Sequence, residues 1–212
     1  MVRADWIASA LSDRNNMYCN RYIFCALLSV VLSIQGNGQF KQLIIEQVEN
    51  EGKVKGKTYR IFAELESEGD QVFVIFGDTQ HPLSITSDEP FYQDDFGGAL
   101  SKETNRKAAR ESKTLAFDSY LTVGATDNYE NNVQVLKLDL TDFEEKGKGF
   151  GTTDGAWFCM PTDKQAYCGA SKRILLMQLT TAGRIQGSIN IMGKNKDGEA
   201  YTVNDVKIDS KK

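Results

Sequence analysis

The sequence predicts an all-β fold: an antiparallel β-sandwich of jelly-roll type, with about ten strands and at most one short helix. Three observations support this prediction. Short segments of alternating apolar and polar residues recur along the chain, turn-forming residues separate them, and the whole chain contains only three prolines. Short strands at regular spacing with turns between them are typical of sandwiches.

The centre of the predicted sheet is a hairpin. In residues 58–65 the apolar Ile61 and Leu65 share one face, because successive side chains of a strand alternate sides. Residues 71–76 are apolar on both faces, which favours an interior strand that is covered on both sides. The connection 66–70 is polar and contains a glycine, so we expect the two strands to pair as neighbours.

The remaining strands follow the same alternation. Asp197 and Gly198 form a dipeptide that predicts a tight hairpin before the last strand. Residues 101–113 are the one segment of helical composition, with Ser101 as a cap, but the segment has almost no apolar face. The other predicted strands span residues 43–48, 83–86, 115–123, 133–140, 157–160, 173–180, 184–192 and 201–208.

The amino terminus has the layout of a secretory signal peptide. Residues 22–34 are apolar and uncharged, Arg21 precedes them and small residues follow. This run is too short to cross a bilayer of about 30 Å as a helix. We therefore expect residues 1–38 to be an extension and signal peptide that is removed, and residues 39–212 to be a single secreted domain. The alternative is a buried amino-terminal helix.

Charge and hydropathy exclude two classes of partner. The formal net charge is −4, so the chain lacks the overall basic character of nucleic-acid-binding proteins. No second long apolar run follows residue 38, so no membrane span is expected in the mature chain.

Two cysteines remain after the predicted cleavage. In an oxidising compartment Cys159 and Cys168 most simply form a disulfide with each other. A zinc site is disfavoured, because two thiolates without a nearby histidine supply only half of a tetrahedral shell. The alternative to the disulfide is two buried free thiols.

Several segments, taken in order, resemble a β-rich module found in secreted and cell-surface proteins of marine microbes. That resemblance implies an extracellular structural or binding role, and it carries no enzymatic activity or catalytic residue. The charge of residues 101–113 and the cysteine pair depart from the pattern. The segments are TYRIFAEL (58–65), GDQVFVIFGD (69–78), HPLSI (81–85), FYQDDFGG (91–98), LAFDSYLTVG (115–124) and RILLMQLTTAG (173–183).

The residue types needed for hydrolysis are present but not in a convincing pattern. His81 is the only histidine, so a serine-based triad would have to use it, with Ser84 nearby in sequence. Glu64 and Glu66 could serve as a carboxylate pair for glycoside hydrolysis. A histidine in a turn and dispersed acids account for these residues better, so no catalytic residue is predicted.

Ligand binding is the stronger alternative. Asp94 and Asp95 lie in a loop and are the best candidates for a Ca²⁺ site, since calcium is bound by oxygen ligands from loops. Tyr92 and Trp157 are candidates for stacking on the sugar rings of an extracellular polysaccharide. The basic residues of the 101–113 segment could bind an acidic polysaccharide, although a solvated face is the simpler interpretation.

The predicted first strand also suggests self-association. Leu43, Ile44, Ile45 and Val48 make residues 43–48 strongly apolar for a strand near a sheet edge. We expect this strand to leave its own sheet at little cost and to add to a neighbour's edge, as in strand donation; the alternative is that it pairs within its own domain. The sequence thus favours a secreted, non-catalytic surface, matrix or filament protein that forms a homo-oligomer or filament, with residues 39–48 contacting the next subunit. The alternative is a carbohydrate-binding domain that could depend on calcium.

Overall fold

A computed structural model describes residues 39–211, so the predicted extension and signal peptide lie outside the described residues. The described part confirms the all-β class, and it contains two short α-helices rather than the single one expected: α1 (Arg106–Glu111) and α2 (Thr141–Lys146). The strands are β1 (Phe40–Val48), β2 (Lys57–Leu65), β3 (Gln71–Phe76), β4 (Leu83–Ser87), β5 (Tyr120–Leu121), β6 (Gln134–Leu136), β7 (Phe150–Thr152), β8 (Ala156–Phe158), β9 (Arg173–Thr181), β10 (Ile185–Lys194) and β11 (Ala200–Asp209).

The strands form two antiparallel sheets, as expected for a sandwich. Sheet 1 has the order β1-β2-β9-β5, and sheet 2 has the order β6-β8-β3-β10-β4-β7, with β11 also paired to β10. In sheet 2, β3 and β4 lie end to end along one edge of β10, and β8 and β7 continue end to end beside them. The outer strands are therefore β1 and β5 in sheet 1, and β6, β7 and β11 in sheet 2.

The core is built from the apolar faces of both sheets and is closed by an aromatic chain. The rings of Phe91, Phe143, Phe150 and Trp157 pack edge to face in that order, with centroid distances of 5.6, 5.0 and 6.3 Å. Helix α2 supplies Phe143, and it is capped after Lys146 by Gly147, whose left-handed φ of 64° suits a glycine. The helix has only six residues and one buried side chain, too few to produce a helical pattern in the sequence.

Two local predictions are confirmed. The side chains of Ile61, Ala63 and Leu65 on β2 are fully buried, as their alternation predicted. The hairpin predicted at Asp197-Gly198 joins β10 to β11, and Gly198 has the positive φ of 88° that such a turn requires.

The predicted central hairpin is wrong, because its two strands belong to different sheets. Strand β2 lies between β1 and β9, and β3 lies between β8 and β10. The connection between them crosses the sandwich at Asp70, whose buried carboxylate accepts hydrogen bonds from the N–H of Ser67 at 2.8 Å and of Lys196 at 2.9 Å. Strand β3 lies inside sheet 2, where β8 and β10 pair with its two edges and most of its side chains are buried. Both apolar faces are therefore covered without pairing to β2.

Two predicted strands are shorter than expected. Of residues 115–123 only β5 pairs, because Leu115–Phe117 form a 3₁₀ turn. Of residues 133–140 only β6 pairs, and the residue after it, Lys137, takes a left-handed φ of 49°, outside the extended region of a regular strand.

The predicted helical segment is also shorter. Helix α1 occupies the middle of residues 101–113, and Asn105, not Ser101, caps it by accepting two backbone N–H groups. Ser101 is buried and belongs to a separate 3₁₀ turn, and its hydroxyl donates to Thr122 Oγ1 at 2.7 Å.

Candidate functional site

The two predicted sugar-binding aromatics do not form a ligand surface. Trp157 is fully buried, and its Nε1–H donates to the carbonyl of Thr122 at 3.0 Å. The prediction for Trp157 is therefore wrong, because a ring without solvent exposure cannot stack on a sugar. Tyr92 is partly buried, and its hydroxyl donates to Asp94 Oδ2 at 2.9 Å, so it supports its own loop.

The predicted calcium ligands are not grouped as a metal site. Asp94 accepts the backbone N–H of Phe96 at 3.1 Å on its other oxygen, and Asp95 is exposed. Within residues 39–211 no group of three or more His, Cys, Asp or Glu side chains is placed to hold a metal ion. Asp94 thus serves the turn chemistry of its loop.

The loop is organised around an acid that the sequence analysis missed. The fully buried Asp118 accepts the N–H groups of Asp94 at 2.8 Å and of Gly98 at 3.1 Å. Burial raises the pKa of Asp118 to about 7, and the nearby charge of Asp94 acts in the same direction. A Cβ at Gly97 would overlap Asp118 Oδ2, so this glycine is required by close approach. Nothing in the alternation of residues 115–123 distinguishes Asp118 from an outward-facing acid.

The predicted disulfide is absent. Cys159 and Cys168 are both free and buried, which matches the alternative of two thiols. The N–H of Cys159 donates to Phe73 O at 3.0 Å, and the N–H of Cys168 donates to Asp70 O at 2.9 Å. The thiol of Cys168 donates to the carbonyl oxygen of Ser67 at 3.0 Å and is not bonded to Cys159.

We expect both thiols to react slowly in the folded protein. Burial raises the pKa of Cys159 to about 12 and raises that of Cys168, so little nucleophilic thiolate is present near neutral pH. Mass spectrometry after brief alkylation should show the peptides of Cys159 and Cys168 unmodified before unfolding and each carrying one alkyl group after it, without reductant. A Cys159–Cys168 cross-link in the unreduced digest would contradict the structure.

The other residues considered for chemistry have structural partners. His81 Nδ1 lies 2.7 Å from Asp205 Oδ2 on β11. Glu64 accepts a hydrogen bond from Gln42 of β1 at 2.8 Å, and Glu66 forms an ion pair with Lys41 of β1 at 3.1 Å. The two glutamates therefore hold β1 to β2 and do not face each other across a cleft.

Strand β1 is an edge strand that is paired on one side. Its residues 42–48 pair continuously with β2, from Gln42 opposite Glu64 to Val48 opposite Thr58. Among the described residues β1 pairs with no other strand, so its second row of backbone donors and acceptors has no strand partner. Such a row is a template for pairing with another chain.

The side chains of β1 do little to protect this edge. Leu43 and Ile45 pack against the core, and Ile44 lies on the opposite face beside Phe62. The two charged residues, Lys41 and Glu46, form ion pairs within the domain, Glu46 with Arg173 at 2.6 Å. Natural edge strands are often blocked by proline or by unpaired lysine, and β1 has neither.

A second surface feature joins residues that are far apart in sequence. Arg60 of β2 and Arg106 and Arg110 of α1 line one small pocket of about 140 Å³. The basic composition of residues 101–113 indicated a positive surface, but it did not indicate Arg60, since only the packing of α1 beside sheet 1 brings the three guanidinium groups together.

The chain was compared with known proteins, and no similar protein was found. Scans against protein-family models, curated proteins and solved structures returned no match for the chain. Among residues 39–211, no helix has both the length and the apolar character needed to cross a membrane.

Proposed function

We propose that the chain is an exported, non-catalytic structural domain of an extracellular surface, matrix or filament, and that it self-associates through the free edge of β1. The observation that carries this proposal is the position of β1, a nine-residue strand at the edge of sheet 1 that pairs with β2 alone among the described strands. The apolar run of residues 22–34 and the resemblance to secreted modules support export.

Edge addition explains assembly better than strand donation. Residues 39–48 were expected to leave their own sheet, but β1 is paired along its length, and Leu43 and Ile45 cover the core. Removing the strand would expose that apolar surface and cost stability. Adding a neighbour's strand to the outer edge replaces hydrogen bonds to water by backbone pairing and breaks no hydrogen bond within the domain, so β1 can stay in place.

The partner strand determines the size of the assembly. Pairing of β1 with β1 of a second copy is isologous and closes a dimer. Pairing of β1 with a different edge, such as that of β6 or β11, leaves an edge free in each copy and produces a filament when the rotation does not close into a ring. Light scattering on the native protein distinguishes a dimer from a filament, because the mass of a dimer stops at twice that of the monomer, whereas a filament continues to grow with concentration.

The proposal can be tested by introducing one lysine into the edge strand β1. Ile44→Lys should weaken self-association about tenfold or more, because pairing would bury an ammonium group beside Phe62. Since Ile44 is half-buried and does not contact the core cluster, the fold should be retained. Association is measured by light scattering across a concentration series.

The matched control is Gln186→Lys, which places the same charge at an exposed position of β10, a strand that is paired on both sides and offers no free edge. Equal weakening by both variants would indicate general charge repulsion and contradict pairing through β1. A wild-type protein that remains monomeric at high concentration, with and without calcium, would refute the proposal as a whole.

A polysaccharide partner remains the second candidate function, but it needs different residues from those predicted. Trp157 is in the core, and Tyr92 and Asp94 bind each other. The observation that favours this candidate is the arginine pocket between β2 and α1.

A further inference from the structure

The arginine pocket has the character of an anion site. Its lining contributes three guanidinium groups, from Arg60, Arg106 and Arg110, and a single carboxylate, from Asp127. This excess of positive charge is local, because the chain as a whole has a net charge of −4. A volume of about 140 Å³ corresponds to roughly four or five water molecules, enough for one small oxyanion group.

Arg60 is oriented by a hydrogen-bonded amide. Its Nε–H donates to Gln178 Oε1 at 2.9 Å, and Gln178 Nε2 donates in turn to the carbonyls of Ala116 at 3.0 Å and Asp118 at 2.8 Å. The guanidinium is therefore held at Nε, and its two terminal nitrogens remain for a ligand. Two terminal nitrogens in one plane match the two oxygens of a carboxylate or sulfate.

Arg106 is held in the same way. Its Nε–H lies 3.0 and 2.9 Å from the two carboxylate oxygens of Asp127, and its guanidinium carbon lies 4.2 Å from the centroid of the Tyr129 ring. Arg110 is exposed, and it forms no ion pair with any residue of the described part of the chain. Two of the three cations are thus preorganised, and the third is free to close on a ligand.

The hydroxyl of Thr104 also indicates that the pocket binds a ligand with hydrogen-bond acceptors. Thr104 lines the pocket, its side chain is almost fully buried, and within residues 39–211 its hydroxyl has no hydrogen-bond partner. A buried hydroxyl without a partner is costly, so an acceptor that enters the pocket would remove that cost.

A wider groove continues from the pocket. It has a volume of about 320 Å³ and shares Arg106 and Asp127 with the pocket. Tyr129 and Gln165 also line it, together with Glu130 and Lys164, which form an ion pair at 3.7 Å. The Tyr129 side chain is 57% exposed, so one face of the ring is available while Arg106 stacks on the other. An aromatic face beside polar donors is the arrangement that binds a sugar ring.

We propose that the pocket and the groove together bind an acidic saccharide, with its sulfate or carboxylate group among the three arginines and its sugar ring along Tyr129. The pocket supplies the charge recognition, and the groove supplies the ring contact that a free anion would lack. This inference identifies the ligand class and the site for polysaccharide binding, and it does not depend on assembly through β1.

Isothermal titration of the full chain tests the proposal. The probes are a sulfated oligosaccharide, its desulfated counterpart, a uronate oligosaccharide and inorganic sulfate. We expect at least one acidic oligosaccharide to bind tenfold or more tightly than the desulfated one and than inorganic sulfate. Arg110→Gln should weaken that binding about tenfold or more, because it removes charge-assisted hydrogen bonds without removing a protein contact.

Two further variants separate the site from general charge. Lys207→Gln removes the same charge from the exposed face of β11 and should leave affinity within about twofold. Tyr129→Ala should weaken oligosaccharide binding more than inorganic sulfate binding, because only the oligosaccharide loses a ring contact while Arg106 stays bonded to Asp127. Circular dichroism verifies the fold of each variant, and Ile44→Lys should bind the oligosaccharide like wild type, which keeps this result separate from assembly.

Three outcomes would overturn the inference. Equal losses in Arg110→Gln and Lys207→Gln would show non-specific attraction. Equal affinity for inorganic sulfate and for the oligosaccharides would show an ion site without saccharide recognition. No binding of either acidic oligosaccharide would show that the pocket does not take this class of ligand.

Discussion

Replacing Trp157 by alanine should lower the free energy of unfolding by about 3–5 kcal/mol, the usual cost of truncating a large aromatic core residue. The ring is fully buried between the sheets and is the last member of the edge-to-face chain that includes Phe150. Its loss would leave a cavity and an unpaired carbonyl at Thr122. Urea unfolding followed by far-ultraviolet circular dichroism measures the change without relying on the deleted fluorophore.

Trp157→Phe is the matched control for this effect. It keeps most of the apolar volume and removes the hydrogen bond to Thr122, so a loss of about 1–2 kcal/mol is expected. If Trp157→Ala unfolds at the same urea concentration as wild type, Trp157 is not a core residue and the buried position is incorrect.

Asp118 should make the stability of the domain fall as the pH rises from about 4 to about 7. Its pKa is raised from 3.8 to about 7 in the folded state, so in this range the folded chain binds a proton that the unfolded chain has released. The stabilisation is fully present below the unfolded pKa and is lost as the pH rises through the folded pKa. A shift of this size corresponds to at most about 4 kcal/mol.

The comparison of Asp118→Asn with wild type isolates this contribution. The asparagine variant lacks the titration, so its stability relative to wild type should rise by several kcal/mol between pH 4 and pH 8. Asp95→Asn changes an exposed carboxylate of the same loop and should follow the wild-type pH profile. Parallel profiles for wild type and Asp118→Asn would show that Asp118 is ionised in the folded protein throughout.

The sequence was sufficient for features that depend on neighbouring residues. The burial of Ile61 and Leu65 follows from the two-residue period of a strand, and the hairpin at Gly198 follows from the conformational preference of Asp-Gly. The edge position of β1 was also anticipated, because an amino-terminal strand has few neighbours in sequence with which to pair.

The sequence was insufficient for features that depend on which distant segments of the chain pair or pack together. The sequence shows that β3 is apolar on both faces, but not that β8 and β10, rather than β2, would cover its edges. Loop position suggested that Trp157 is accessible, whereas pairing of β8 between β3 and β6 buries it. The spacing of Cys159 and Cys168 in the sequence permits a disulfide, and only the tertiary structure shows that both thiols are free.

The sequence by itself determined the all-β class and which faces of the strands are apolar, because side-chain alternation is a local property of the extended backbone. Tertiary structure alone decided the partners of the strands and the contents of the candidate sites, because pairing is a choice among non-local alternatives of similar energy. Arg60 and Arg110 show the difference. Each is an ordinary basic residue in the sequence, and they share a pocket only because α1 packs beside sheet 1.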